Sequence, residues 1–142
     1  MDELHPYAFL EGGNKMDKKT ETKLIECHIL MCEALKGYED RAFQSNKIFE
    51  IRQYSNQLPE DMNNKITEYV KQVIRPMVYD ADYWSFIEKD ENYGAYDDDH
   101  HFIINSDFSL ERIIFRKYHY IHDLLEELSK FMYEEFGLDY DS

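Results

Sequence analysis

Between Ser109 and Gly137 apolar side chains recur at four-three spacing, as Leu110, Ile114, Ile121, Leu124, Leu128 and Phe131. That period lines up one stripe of a helix, whereas a strand would scatter the same residues over both faces. Ser109 is suited to accept from the first-turn amide groups, and Gly137 to let the chain leave the last turn. A long helix with one apolar stripe must bury it against other elements, which makes packed helices the first expectation for the rest of the chain. Lys117 occupies a seam position. It argues against a long dimeric coiled coil and for packing within one chain.

The first half reads compatibly. Residues 17–36 predict a helix whose stripe of Leu24, His28, Met31 and Leu35 is widened by Ile25, Ile29 and Cys32, with Gly37 as its stop. Residues 38–54 fit a helix over "YEDRAF" and a strand over "KIFEIRQY". Pro59 followed by Glu60 and Asp61 opens another helix, lined by Met62, Ile66, Tyr69, Val70 and Val73, and Pro76 is expected to end it. "MVYDADYWSFIEK" and "HHFIIN" have the aromatic and β-branched content of short strands, with an Asp/Asn/Gly-rich loop over 90–99 between them. The expected fold is therefore mainly α (α+β), a single domain of about four helices with a small antiparallel hairpin near 77–105 and a long C-terminal helix. Residues 1–15 read as an N-terminal arm, docked or flexible, and 16–142 as the one globular domain.

Composition narrows the function classes. With 43% hydrophobic and 15% aromatic residues the chain has ample material for a core. No apolar run approaches the roughly 20 residues that cross a bilayer, and the acidic N-terminus does not resemble a secretory signal. Cys27 and Cys32 fall on one helix and do not form a C-x-x-C pair, so free thiols in a reducing, cytoplasmic setting are expected. The net charge of −14 is unevenly spread. Residues 1–79 carry 13 acids and 11 bases, whereas 80–142 carry 17 acids and 5 bases. An anionic second half disfavours direct contact with nucleic acid or an anionic membrane and favours a basic protein partner.

The sharpest local signal is "YGAYDDDHH" over 93–101. His100 and His101 beside Asp97, Asp98 and Asp99, together with His119 and His122 of "HYIHD", offer the donor types that bind zinc. Their spacing matches neither H-E-x-x-H, nor an EF-hand loop, nor paired C-x-x-C motifs, so a solvated acidic cluster is the simpler reading, with no cofactor implied. Arg116 and His122 in "RKYHYIH" have the Arg-to-His spacing of HEPN ribonucleases, which this stretch resembles. The resemblance implies RNA cleavage, with His122 as general acid/base and Arg116 stabilising the phosphorane charge.

The reading that absorbs most of the second half is recognition. Tyr79, Tyr83, Trp84, Tyr93, Tyr96, Tyr118, Tyr120, Tyr133 and Tyr140 are interspersed with carboxylates, and aromatic anchors ringed by charge suit a protein interface. Carboxylates at helical i,i+4 or alternate strand positions lie about 6 Å apart, close to the phosphate spacing of a nucleic-acid strand. The expectation is a non-catalytic acidic inhibitor that mimics nucleic acid toward a basic nuclease or nucleic-acid-binding effector, of the phage or mobile-element anti-restriction or anti-CRISPR type. The expected contact residues are Tyr93, Tyr96, Asp97, Asp98 and Asp99 in the loop, with Asp123, Glu126, Glu127, Glu134 and Glu135 on the last helix. An immunity protein for a cognate nuclease toxin is the next alternative, and the HEPN-like ribonuclease the third.

Overall fold

Asp17 caps the first helix by accepting from the Thr20 amide at 2.7 Å, and α1 then runs over Lys18–Lys36. The computed structural model describes residues 16–88, 94–96, 98–104 and 110–138. Leu24, Cys27, His28, Met31, Ala34 and Leu35 of α1 are all buried, so the wide apolar band of this helix is covered on most sides. Gly37 follows as expected, with a reason the sequence did not show. Its φ is −88°, an ordinary value, but a β-carbon there would collide with the Phe43 ring.

The ambiguous stretch after it is helical. Asp40 accepts from the Phe43 amide at 3.0 Å and opens α2 (Arg41–Ser55). Gln44, Ile48, Ile51 and Ser55, spaced four-three-four, form its buried side, and no strand occupies "KIFEIRQY". Gln44 is buried, and its amide nitrogen donates to the Ala34 carbonyl at 2.9 Å and approaches the Met77 sulfur at 3.1 Å, while its amide oxygen has no hydrogen-bond partner among the described residues.

Helix α3 (Glu60–Tyr69) does not end at Pro76. It widens into a π turn over Val70–Ile74 and continues as α4 (Arg75–Tyr79). Proline lacks an amide hydrogen, and its ring crowds the carbonyl four residues back. Widening the preceding turn, with the Arg75 amide donating to the Val70 carbonyl, makes room for it.

The hairpin expected to extend over 77–105 is not what forms. Of "MVYDADYWSFIEK", residues 77–79 lie on α4 and residues 85–88 form the single turn α5 (Ser85–Glu88), separated by a turn in which the Asp80 carboxylate accepts from the Asp82 amide at 2.9 Å. Met77 and Val78, then Trp84 and Ile87, are buried from these helical turns. Backbone pairing is confined to β1 (Gly94–Tyr96) and β2 (Phe102–Ile104), in antiparallel register Gly94↔Ile104 and Tyr96↔Phe102. Three residues a side form no layer of their own, and the described chain is mainly helical.

Helix α6 (Leu110–Phe136) is the long C-terminal helix. Ile121 and Leu128 are buried as the stripe predicts, Leu124 and Phe131 are half-buried, and Met132 and Phe136 extend the stripe. Ile114 departs from it at 47% exposed. In the first turns the inward side runs instead through Ile113 and Tyr120, because Lys117 lies over the Trp84 ring at 5.2 Å and bonds the Glu88 carboxylate at 2.6 Å. Gly137, at φ 69°, ends the helix and lets Leu138 fold back to donate to the Met132 carbonyl at 3.3 Å.

Candidate functional site

One turn of helix advances 3.6 residues, so Phe115, His119, His122, Glu126 and Tyr133 fall within a narrow sector of α6, opposite Ile121 and Leu128. Phe115 is 43% exposed and Tyr133 60%, with Tyr118 beside them at 57%. The face spans about 27 Å from Phe115 to Tyr133 at 1.5 Å per residue. Asp123, Glu127 and Glu134 flank it and are exposed. Rings and carboxylates therefore share one solvent-facing surface.

The details of this surface follow from its helical spacing. His119 packs edge-on to Phe115 at 4.3 Å and also meets Tyr118 at 5.7 Å. His122 sits over Tyr118 at 6.4 Å, and its Nδ1 lies 3.8 Å from a Glu126 carboxylate oxygen. Glu135 turns the other way and pairs with Lys65 of α3 at 3.3 Å, so it serves the packing of α6 as well as its charge. No cation pairs with Asp123, Glu127 or Glu134 among the described residues.

The other expected contact residues divide by environment. Asp98 and Asp99 are exposed on a turn, followed by His100 at φ 65° and by His101, also exposed. Tyr93, Asp97 and Tyr140 lie outside the described residues, and Tyr96 is described only as backbone of β1. Tyr83, Trp84 and Tyr120 belong to the core: the two tyrosine hydroxyls share a 2.7 Å hydrogen bond, and Trp84 is 6% exposed. Burial, reinforced by that bond, pushes the Tyr83 hydroxyl well above its ordinary pKa. Tyr79 is exposed on α4, where its hydroxyl bonds Ser45 at 3.0 Å and Arg75 covers its ring.

The alternative metal-donor set of His100, His101, His119 and His122 is not brought together. His122, Asp123 and Glu126 bring one ligand atom each within 4.8 Å of one another, all three exposed. Among the described residues this is the sole such grouping, and His100, His101 and His119 do not join it. Three exposed donors on one helix leave most of an ion's coordination to water. For the ribonuclease expectation, Arg116 and His122 stand on one unbroken helix, where six residues separate side chains by about 120°. Arg116 is half-buried, whereas His122 is exposed and faces Glu126.

Residue types alone did not point to two further groups. One is Phe115, whose signal in the sequence is its position four residues before His119 and seven before His122. The second group is a groove of about 290 Å³ between α2 and α3, floored by Ile48, Ile51, Ile66 and Val70 and rimmed by Arg52, Lys71 and Arg75. Its only advance signal was the i,i+4 pair Lys71 and Arg75 in an otherwise acidic protein. No protein-family model matches the chain, and no curated protein or solved structure does.

Proposed function

We propose that this chain is a non-catalytic inhibitor that occupies the nucleic-acid groove of a basic protein through the outer face of α6. The observation that carries the reading is the shared surface: Asp123, Glu126, Glu127 and Glu134 exposed beside Phe115, Tyr118 and Tyr133. Carboxylates about 6 Å apart along a rigid helix present charge at the repeat of a phosphate backbone. The rings add apolar area that a phosphate backbone lacks, and they would slow release once the charges have guided the approach. Asp98 and Asp99 extend the same sign of charge in the 93–101 loop. No described helix is long and apolar enough to cross a membrane.

An anti-restriction or anti-CRISPR inhibitor and an immunity protein for a nuclease toxin would use this surface alike. They differ in the partner, so capture from a lysate followed by identification of the bound protein separates them. Binding kinetics then test the surface itself. Asp123→Asn, Glu126→Gln and Glu127→Gln together should slow association about tenfold at low salt and flatten its salt dependence, because exposed charges act on encounter. Phe115→Ala should instead speed dissociation. If the triple variant binds as wild type does at both low and high salt, the mimicry reading is wrong. RNA cleavage by the wild type, lost in Arg116→Ala or His122→Ala, would replace it with the ribonuclease.

A further inference from the structure

The groove between α2 and α3 differs in character from the rest of the surface. In a chain of net charge −14, three cations border one opening whose lining contains no carboxylate. Thirty acids are available to pair with sixteen bases, yet no carboxylate pairs with Arg52, Lys71 or Arg75 among the described residues. Lys47 pairs with Glu33 and Glu50, Lys65 with Glu135, and Lys117 with Glu88, whereas, among the described residues, the groove gathers three unpaired cations round one apolar opening. Arg75 is stacked on the Tyr79 ring at 5.0 Å, which holds its guanidinium by the rim without neutralising it.

Beneath the rim the floor is entirely aliphatic. Ile48 and Ile51 come from α2 and Ile66 and Val70 from α3, with the Thr67 hydroxyl at the edge. The π turn at Val70–Ile74 forms part of the same wall, carrying both Val70 and Lys71. The volume of about 290 Å³ is at the small end of sites that enclose small molecules. An extended peptide or a second copy of the chain would need a longer apolar surface than these side chains offer.

We infer that this groove binds a small amphipathic anion, a carboxylate or phosphate ester with a short aliphatic body. The aliphatic body lies on the four branched side chains, and the anionic head is held between Arg52 on one helix and Lys71 and Arg75 on the other. Paired cations on two elements recognise such a head through charge-assisted hydrogen bonds, while the floor excludes water from one side of them. The site is independent of the α6 surface. Lys65 and Tyr69 face α6, through Glu135 and the Phe131 ring at 4.8 Å. Thr67 and Lys71 lie two residues on from those positions, about 200° round the helix.

The test uses the full chain, with decanoate and its uncharged analogue decanol as probes, read by calorimetry at low salt. Decanoate should bind saturably at one site, and Lys71→Gln with Arg75→Gln should weaken it about tenfold or more by removing two charge-assisted contacts. Lys18→Gln with Lys19→Gln removes the same charge at exposed positions on α1 and should leave the affinity unchanged. Circular dichroism verifies that each variant is folded; if the rim pair unfolds the chain, Arg52→Gln alone serves the same comparison. Equal affinity for decanol overturns the inference, because the head would then not be recognised. So does an equal loss in the α1 control, or no saturable binding of decanoate.

Discussion

Lys117 occupies a core position of the α6 stripe, and its replacement tests how the first half of that helix is held. The ammonium lies 5.2 Å from the Trp84 ring centre and 2.6 Å from a Glu88 carboxylate oxygen, with its side chain 17% exposed and that of Glu88 45%. Lys117→Met keeps the aliphatic stem, and with it the packing on the indole. What is lost is the ion pair, about 0.5–1 kcal/mol at a half-exposed site, and the cation–π contact, about another 0.5–1 kcal/mol. The expected loss in urea denaturation is therefore about 1–2 kcal/mol, or a melting temperature lower by about 4–8 °C for a chain of this size. Glu88→Gln removes only the ion pair, and in that background Lys117→Met should cost about half as much, a non-additivity that marks direct contact. High salt should shrink the Glu88→Gln effect more than the cation–π share. A Lys117→Met chain as stable as wild type refutes the reasoning, since the lysine would then be tolerated at the seam rather than used there.

Other consequences concern the core and its titrating groups. Leu128→Ala, at a fully buried position, should cost about 2–5 kcal/mol in denaturation, whereas Ile114→Ala, on the same nominal stripe but 47% exposed, should stay within about 0.5 kcal/mol. Burial pushes the Cys27 thiol up to about 12 and raises Cys32, so neither should react readily with a disulfide reagent at pH 8 until guanidinium unfolds the chain. Burial lowers the His28 pKa below its ordinary 6.5, so the unfolded chain takes up the proton first. Its contribution to stability is then complete above about pH 6.5 and lost as pH falls toward the lowered value. Melting curves at pH 7.5 and 5.5 should show the decline, and a His28→Gln chain should show less of it.

The helices were readable because burial here follows simple periods. Leu24, Met31 and Leu35 on α1, and Ile121 and Leu128 on α6, were named from spacing and are buried in the structure. Where local composition and tertiary packing disagreed, packing prevailed. "KIFEIRQY" has strand-like residues, but Gln44, Ile48 and Ile51 find helices to pack on and no neighbouring strand. "MVYDADYWSFIEK" is aromatic and β-branched, yet Ile87 reaches the core from the single turn α5 and Trp84 from the residue just before it. Pro76 does not stop the helix for another reason: a π turn accommodates proline, and the helical periods of the sequence do not mark such a turn. The acidic candidates on α6 were legible as charges. Their alignment with Phe115 and Tyr133, and the withdrawal of Tyr83 and Tyr120 into the core, depended on which side of α6 the rest of the fold covers.

The division of charge in the sequence therefore has a directional meaning in the fold. Helix α3 stands between the two surfaces, with Lys65 and Tyr69 turned to α6 and Lys71 turned to the groove. A strongly acidic face on one side and an unpaired basic rim on the other give the molecule a dipole beyond its net charge. On the proposed function, a basic partner would be drawn to α6 and repelled by the rim, which would set its orientation before contact. The same separation keeps an anionic ligand from competing with the carboxylates of α6. If the two surfaces serve different ligands, neutralising Asp123, Glu126 and Glu127 should leave decanoate affinity nearly unchanged apart from the general loss of repulsion at low salt. Neutralising Lys71 and Arg75 should in turn leave partner binding intact. A shared ligand would instead make each set of substitutions abolish both, and the two surfaces would have to be read as one.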